Sequence, residues 1–452
     1  MKNNKTDRLV LCTCLLLASC CSYGQSADTT GSASSLTLDQ CIQYAMKHQP
    51  ALNQALIGVP IARATNAINL AGWLPQVNIT GNLTHYLQLP TSFVVNQSNP
   101  GSPPVQQHTG VINSFGPTLA VTQAIFSPSL IYASKTAPLV VKQAEQDVDS
   151  ARIDLVVLVS KSFYNLLLTL KQIDVLKEDT ARLTRNVSDT YHQYIGGIVD
   201  ETDYDEASIT LNNSMAQLRQ ATENIVPQYA ALKQYMGFPA DKQFNVIFDT
   251  VQMMQDIVFD TTQPLQYDKR IELQQLRTTT AIQHLITGYY HNAWLPTLGA
   301  FFNYNYEFQN NKASDLYANG YPYSYIGLSV SMPIFTGFAR VQNERKSKLQ
   351  EQQLDWGQTG MKLAINSEYT SALANYKSNL YTLEQTRANQ ALAKKVYFIV
   401  ELQYKQGVVA YLNVITAESN LITAEIGYIN ALYQVLSSKI DLQKAMGIIN
   451  YR

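Results

Sequence analysis

The sequence predicts an α+β membrane protein, built as a duplicated unit of one strand pair followed by one pair of very long helices. Three observations predict it. The same ordered words occur twice: Trp73-Leu74-Pro75 and Trp294-Leu295-Pro296, Ile125-Phe126 and Ile334-Phe335, a Tyr-x-x-Gly-x-Val turn at Tyr194 and at Tyr404, and Met236-Gly237 and Met446-Gly447. Between the first two words of each copy hydrophobicity alternates with period two, as in strands with one apolar and one polar face. After them the period becomes helical for tens of residues, longer than a helix inside an ordinary globular domain.

Composition narrows the class. Among 452 residues there are 33 basic and 34 acidic side chains, so the basic footprint of a nucleic-acid binder is absent. Twenty-eight tyrosines with few charges suit outer-membrane strands and their aromatic girdles. Lys2, Lys5 and Arg8 precede a short apolar run from Leu9 to Ala18, which reads as an export signal over residues 1–24. Two cleavage sites fit: before Cys20, which Leu17-Ala18-Ser19 would make a lipidated first residue, or after Ser22-Tyr23-Gly24. Four of the five cysteines lie in or beside this segment, so no disulfide framework is expected, and Cys41 reads as a small apolar contact. No apolar run of transmembrane-helix length is expected after the signal.

In the first repeat (36–237), Thr37-Leu38-Asp39-Gln40 has the form of a capping box and opens a helix over about 37–73, which Pro75 forbids from continuing. Alternation then gives strands over about 76–89 and 114–126, separated by a long Pro-, Ser- and Asn-rich loop over 90–113. Ser127-Pro128 supplies an N-cap and an N1 proline for a helix over 128–195, about 100 Å at 1.5 Å per residue. A return helix over 203–236 carries Leu211, Met215, Leu218, Thr222, Ile225, Tyr229, Leu232 and Met236 at heptad steps, predicting a coiled-coil seam. Residues 238–264 form a small lateral subdomain. The second repeat (265–449) holds helices over about 265–293, 337–405 and 411–446 and strands over 297–308 and 324–335. Thr336 is the expected cap and Ile422, Ile426, Ile429, Tyr433, Leu436 and Ile440 the expected seam. From Trp to Ile the first hairpin spans 52 residues and the second 40, an excess that fits an outward loop tolerant of insertion.

Four strands of about ten residues suit tilted crossings of a hydrocarbon core about 30 Å thick. They cannot close a barrel alone, and an open edge in lipid leaves backbone groups unpaired at several kcal/mol each, so other chains must complete it. Six scattered histidines, with no HExxH, P-loop, GxSxG or dinucleotide fingerprint, indicate no metal, cofactor or catalytic residue.

The ordered set of motifs, from Leu36-Thr37-Leu38 through both Trp-Leu-Pro openings, Pro333-Ile334-Phe335-Thr336-Gly337 and both tip turns to Gly447, resembles the TolC family of outer-membrane efflux proteins. The resemblance implies a homotrimer in the outer membrane of a Gram-negative bacterium. A 12-stranded β-barrel would continue into a periplasmic α-helical coiled-coil barrel. The assembly would act as a passive exit duct for small molecules or secreted substrates, docked to a periplasmic adaptor and an inner-membrane pump of RND, ABC or MFS type. It assigns adaptor contact to the tip turns Gly197-Ile198-Val199 and Gly407-Val408-Val409. The positions of the family's entrance aspartates fall on Asn413 and Thr416, a departure that shifts the expected acidic entrance to Asp200, Asp203 and Asp205. The rival reading is a non-channel scaffold or adaptor with a coiled-coil hairpin, secreted or lipid-tethered.

Overall fold

A computed structural model describes residues 34–94, 103–247, 253 and 257–451. The export signal, both cleavage sites and Cys20 lie outside the described residues, as do residues 95–102 of the first hairpin loop. Seven long or medium helices and eight strands follow one another among the described residues: β1 (Ser34–Leu36), α1 (Leu38–His48), α2 (Pro50–Leu70), β2 (Gln76–His85), β3 (Thr91–Val94), β4 (Val105–His108), β5 (Asn113–Phe126), α3 (Pro128–Ile195), α4 (Glu201–Met236), β6 (Phe244–Val246), α5 (Ile271–His291), β7 (Thr297–Asn310), β8 (Gly320–Ser331), α6 (Ala339–Lys405) and α7 (Tyr411–Met446).

The strand pairs form one antiparallel sheet in the order β2-β5-β7-β8, leaving β2 and β8 as open edges. Its register places Val77, Val121, Phe302 and Ile326 in one row, and Asn78, Ala120, Asn303 and Tyr325 in the next on the opposite face. The apolar face is bare: Ile326 is 80% exposed, with Ile79 and Leu328 close behind. The polar face is hydrogen-bonded within itself, as where the Thr118 hydroxyl donates to Asn305 Oδ1 at 2.6 Å. A bulge between Ala124 and Phe126 ends β5 just before α3 begins. Increased local twist at a bulge suits a strand that must leave its sheet for a helix.

Several sequence expectations are corrected. The helix over 37–73 is two helices, because Pro50 forces Gln49 into extended backbone (ψ 120°) and ends α1. The Thr37–Gln40 capping box forms as expected, with Thr37 N–H donating to Gln40 Oε1 at 2.9 Å. The loop over 90–113 contains a short ribbon, β3 paired with β4, beyond an earlier end of the strand at His85. In the second copy β8 starts at Gly320 and stops at Ser331, so Ile334 and Phe335 lie past the sheet. The helix after them begins at Ala339, and Thr336 supports it from outside its first turn, accepting the Arg340 N–H at 3.4 Å. In α3 Pro128 stands at N1, but the Ser127 hydroxyl pairs with Ser129 and leaves the helix end alone. One segment contradicts the expected absence of a long apolar run: α3 contains an 18-residue stretch apolar enough to cross a membrane. Much of that stretch is core, with Val159, Phe163 and Leu166 fully enclosed.

The helices lie in the order α4-α3-α7-α6, with α5 joining α3 and α6 and α2 lying on α3. Position in this layer corrects the seams. In α4 the buried column is Ala207, Ser214 and Ala221, seven residues apart, while the expected seam residue Met215 is about half exposed. Helix α4 packs chiefly on α3 and buries that one column along most of its length, while the expected Leu232 and Met236 are buried at its end near α1. Helix α7 lies between α3 and α6 and buries two: Ile429, Leu436 and Ile440 as expected, and Val414, Leu421, Leu432, Val435 and Leu442 beside them.

A lateral core closes the mid-section. Strand β1 pairs in parallel with β6, and Cys41, Ala45, Leu232, Met236 and Phe244 pack beneath them. Cys41 is fully buried, and burial pushes its thiol up to about 12. Both Met-Gly words end a return helix with glycine in left-handed backbone (φ 66° at Gly237, 68° at Gly447). Each glycine then lies against a backbone carbonyl at another helix boundary, of His48 at the end of α1 and of Lys269 just before α5.

Candidate functional site

Both tip turns close by the same hydrogen bonds. Ile198 N–H donates to Gln193 O at 2.8 Å and Gly197 N–H to Tyr194 O; in the second copy Val408 N–H donates to Gln403 O at 2.9 Å and Gly407 N–H to Tyr404 O. This pattern satisfies the last carbonyls of a helix while one residue takes positive φ, which Gly197 (70°) and Gly407 (72°) do without strain. The next residues, Ile198 (76% exposed) and Val408 (67%), project into solvent, an unusual place for large apolar side chains at the far end of a rod.

The two tips are joined. Tyr404 Oη donates to Gln193 Oε1 at 2.6 Å, across the boundary between copies. A cleft of about 620 Å³ opens beside this bond, lined by Ile198, Val199, Asp203, Gly407, Val409 and Tyr411 among others. Of the expected entrance residues only Asp203 enters this cleft, where it is half-buried. Burial and the Asp203 charge push the Tyr404 hydroxyl upward, and burial drives that of Tyr411 to about 12, so both stay neutral. Asp200, Asp205, Asn413 and Thr416 are exposed and outside the cleft; the Thr416 hydroxyl donates back to Leu412 O. Sequence reasoning missed Gln193, Tyr404 and Tyr411 as a group, although the offset of 210 between Tyr194 and Tyr404 marked the second tyrosine.

Above the tips lies a second polar centre that sequence reasoning also missed. Arg182 of α3 reaches Glu418 of α7, Nε to Oε1 at 2.7 Å, and also bonds Asp179 one turn back on α3. Asp179 Oδ2 accepts the Ser214 hydroxyl of α4 at 2.8 Å, and Glu418 Oε2 accepts Asn186 Nδ2 at 3.3 Å. The guanidinium lies 4.9 Å from the ring centre of Tyr397 on α6. All four long helices meet here, around two carboxylates of 1% and 0% exposure. Burial pushes Asp179 and Glu418 up, more than Arg182 and the hydroxyl and amide partners pull them down. The signal was present: Asp179 and Glu418 occupy seam positions among Leu176, Leu183, Val414 and Leu421, where a carboxylate is out of place.

The model of outer membrane efflux proteins matches residues 41–238 and 290–448. Among solved structures, the Campylobacter jejuni CmeC outer membrane channel is 19% identical, covering 91% of this chain and 85% of its own, with a TM-score of 0.73. The Vibrio cholerae outer membrane protein VceC is 16% identical, covering 91% and 96%, with a TM-score of 0.71. The Neisseria gonorrhoeae MtrE outer membrane channel, in its open state, is 18% identical, covering 91% and 88%, at 0.69. No curated protein sequence matches significantly. At these identities the solved structures carry the fold.

Proposed function

From the premise that this chain belongs to the outer membrane efflux protein family, and is therefore an outer-membrane exit duct and no enzyme, we propose that it works as a homotrimer whose entrance is the paired tip turns. The family assignment also removes the scaffold reading. The observation that carries the trimer is the pair of open edges. Strands β2 and β8 end a four-stranded sheet whose outer face is apolar, and each edge presents unpaired N–H and C=O groups. In lipid those groups cost several kcal/mol each unless β8 of one copy pairs with β2 of the next. Three copies give twelve strands, enough to enclose a water-filled lumen lined by the Asn, Thr and Ser face. The helices support the same assembly. Edge helix α6 exposes Leu349, Trp356 and Leu363 at seven-residue spacing, and α2 exposes Ile61 and Ile68. Such stripes lose water against a neighbouring copy.

The exposed Ile198 and Val408 are the contacts for a periplasmic adaptor, which couples the duct to an inner-membrane pump of RND, ABC or MFS type. Replacing both with aspartate is expected to weaken adaptor binding at least about tenfold, since two apolar anchors of about 1.5 kcal/mol or more are lost. Binding of the purified adaptor measured by surface plasmon resonance checks it; an unchanged affinity removes the tips from the interface.

Asp203 in the cleft and Asp200 and Asp205 at the surface form the acidic entrance, three copies of each per trimer. Planar-bilayer recording tests the whole reading. The purified protein is expected to run as a heat-modifiable trimer and to conduct, with Na⁺ favoured over Cl⁻. Asp203→Asn with Asp205→Asn should remove that preference. A non-conducting monomer would overturn the duct, and an unchanged ion preference would overturn the acidic entrance alone.

A further inference from the structure

Arg182 is one positive charge between two buried negative ones, and the imbalance has a consequence for how the tube closes. A buried ion pair is tolerated when charges match and the remaining lone pairs are satisfied. Here the hydrogen bonds are in place: Ser214 serves Asp179, Asn186 serves Glu418, and Arg182 serves both. The charge is not balanced. Among the described residues Arg182 is the basic side chain within ion-pair distance of either carboxylate, and other acidic groups add to the excess. Burial pushes the Glu425 carboxyl of α7 up; the charges of Arg182 on α3 and Lys394 on α6 pull it down, and those of Asp179 and Glu178 on α3 push it further up. Burial acts most on the Tyr397 hydroxyl of α6 and holds it neutral, helped by the charges of Glu418 on α7 and Glu401 on α6. Tyr411 is neutral as well. From α4 only the uncharged Ser214 reaches in. An extra negative charge in this setting favours binding one proton.

We propose that Asp179, Arg182 and Glu418 form a proton-holding clasp between the two helix pairs, so that the closed entrance binds a proton and opens more readily when it is lost. The proposal rests on the duct reading above. Arg182 stands 13 residues before Ile195 and Glu418 eight after Ala410, placing the clasp about 12–20 Å from the tip turns at 1.5 Å per residue. It bridges α3 and α4 of the first copy to α6 and α7 of the second, the boundary along which an entrance would dilate. Separating them admits water to both carboxylates and returns them toward their ordinary range. The closed arrangement, with the raised carboxyl, therefore binds more protons than the opened one. Its advantage is full at acid pH and fades as pH rises through the closed-state value. Each unit separating the two states shifts the closed-to-open ratio about tenfold.

Two measurements test it on the full-length trimer. In planar bilayers, wild-type open probability should rise several-fold between about pH 5 and about pH 9. Glu418→Gln or Asp179→Asn, permanently neutral and nearly isosteric, should stay at the acid level throughout. In infrared difference spectra over the same pH range, a protonated-carboxyl band should titrate in the wild type and vanish in either variant. If the band is absent, or survives both substitutions, the clasp is overturned. If it titrates as expected while the wild type conducts at no pH, the proton site stands and the duct reading falls. A conducting wild type whose opening ignores pH overturns the link between proton and gate.

Discussion

Arg182→Met is expected to destabilise the folded chain by about 3 kcal/mol, because it leaves Asp179 and Glu418 buried without a cation. Losses of about 3–5 kcal/mol follow removal of one partner from a buried ion pair, and the lower end applies because the Arg182 side chain keeps 23% exposure. Methionine keeps most of the volume and the stacking on Tyr397, so packing loss contributes little. The control is a triple substitution, Arg182→Met, Asp179→Leu and Glu418→Met, which removes the charges together. It should recover most of the lost stability, since replacing a whole buried charge cluster by apolar groups of similar volume is often neutral or stabilising. The measurement is the thermal midpoint at which the purified trimer disassembles. A single variant as stable as the wild type would show that water reaches these carboxylates.

The second large effect is at the Met-Gly closures. Gly237→Ala should cost more than about 2 kcal/mol. Left-handed backbone alone costs an L-residue about 1–2 kcal/mol. The added Cβ would also stand 2.5 Å from His48 O and 2.8 Å from its carbonyl carbon, both backbone atoms that cannot turn aside. Gly447→Ala meets Lys269 O at 2.8 Å and should behave alike. Gly197→Ala and Gly407→Ala provide the contrast. Their φ is as positive, but a Cβ there meets nothing within 4 Å, so they should show the conformational cost alone. Thermal midpoints of the four variants separate the two terms. Equal losses at all four sites would mean that the close approach to His48 and Lys269 adds nothing. Gln49 explains why the approach is so tight: its amide donates to Gln234 O and Tyr235 O at 3.1 Å, seating the α1–α2 break on the end of α4. Arg270 plays that part in the second copy, donating to Ala445 O at 2.9 Å while paired with Glu272 and Glu368.

What could be read from the chain follows from the range of the interactions involved. Pro128 to Ile195 was legible as one helix because its start and stop are encoded within a few residues, by proline at N1 and by the Gly197 turn. The break at Gln49 is equally local, encoded by Pro50, although the expected helix ran through it to Trp73. The α4 seam was half legible. Leu218, Ile225 and Leu232 pack inward as expected, but the expected Met215 is half exposed while its neighbour Ser214 is buried. A small polar residue holding Asp179 leaves no hydrophobic signature. The entrance was legible as an acidic stretch, though not which acid counts. Asp203 differs from Asp205 only in facing Tyr404 and Tyr411, some 200 residues away in sequence.

The sequence by itself determined the duplication, the two strand pairs, the lengths of the long helices and the places where they turn. Each is written in a period, a cap or a glycine acting over one or two turns of chain. The tertiary structure decided which strands are edges, which helix buries one seam and which two, and that Asp179, Arg182, Ser214, Tyr397 and Glu418 converge from four helices. The physical reason is that edge, burial and local charge balance belong to neighbours. A side chain's neighbours are fixed only when distant helices settle into register, and two carboxylates 239 positions apart share one guanidinium only then.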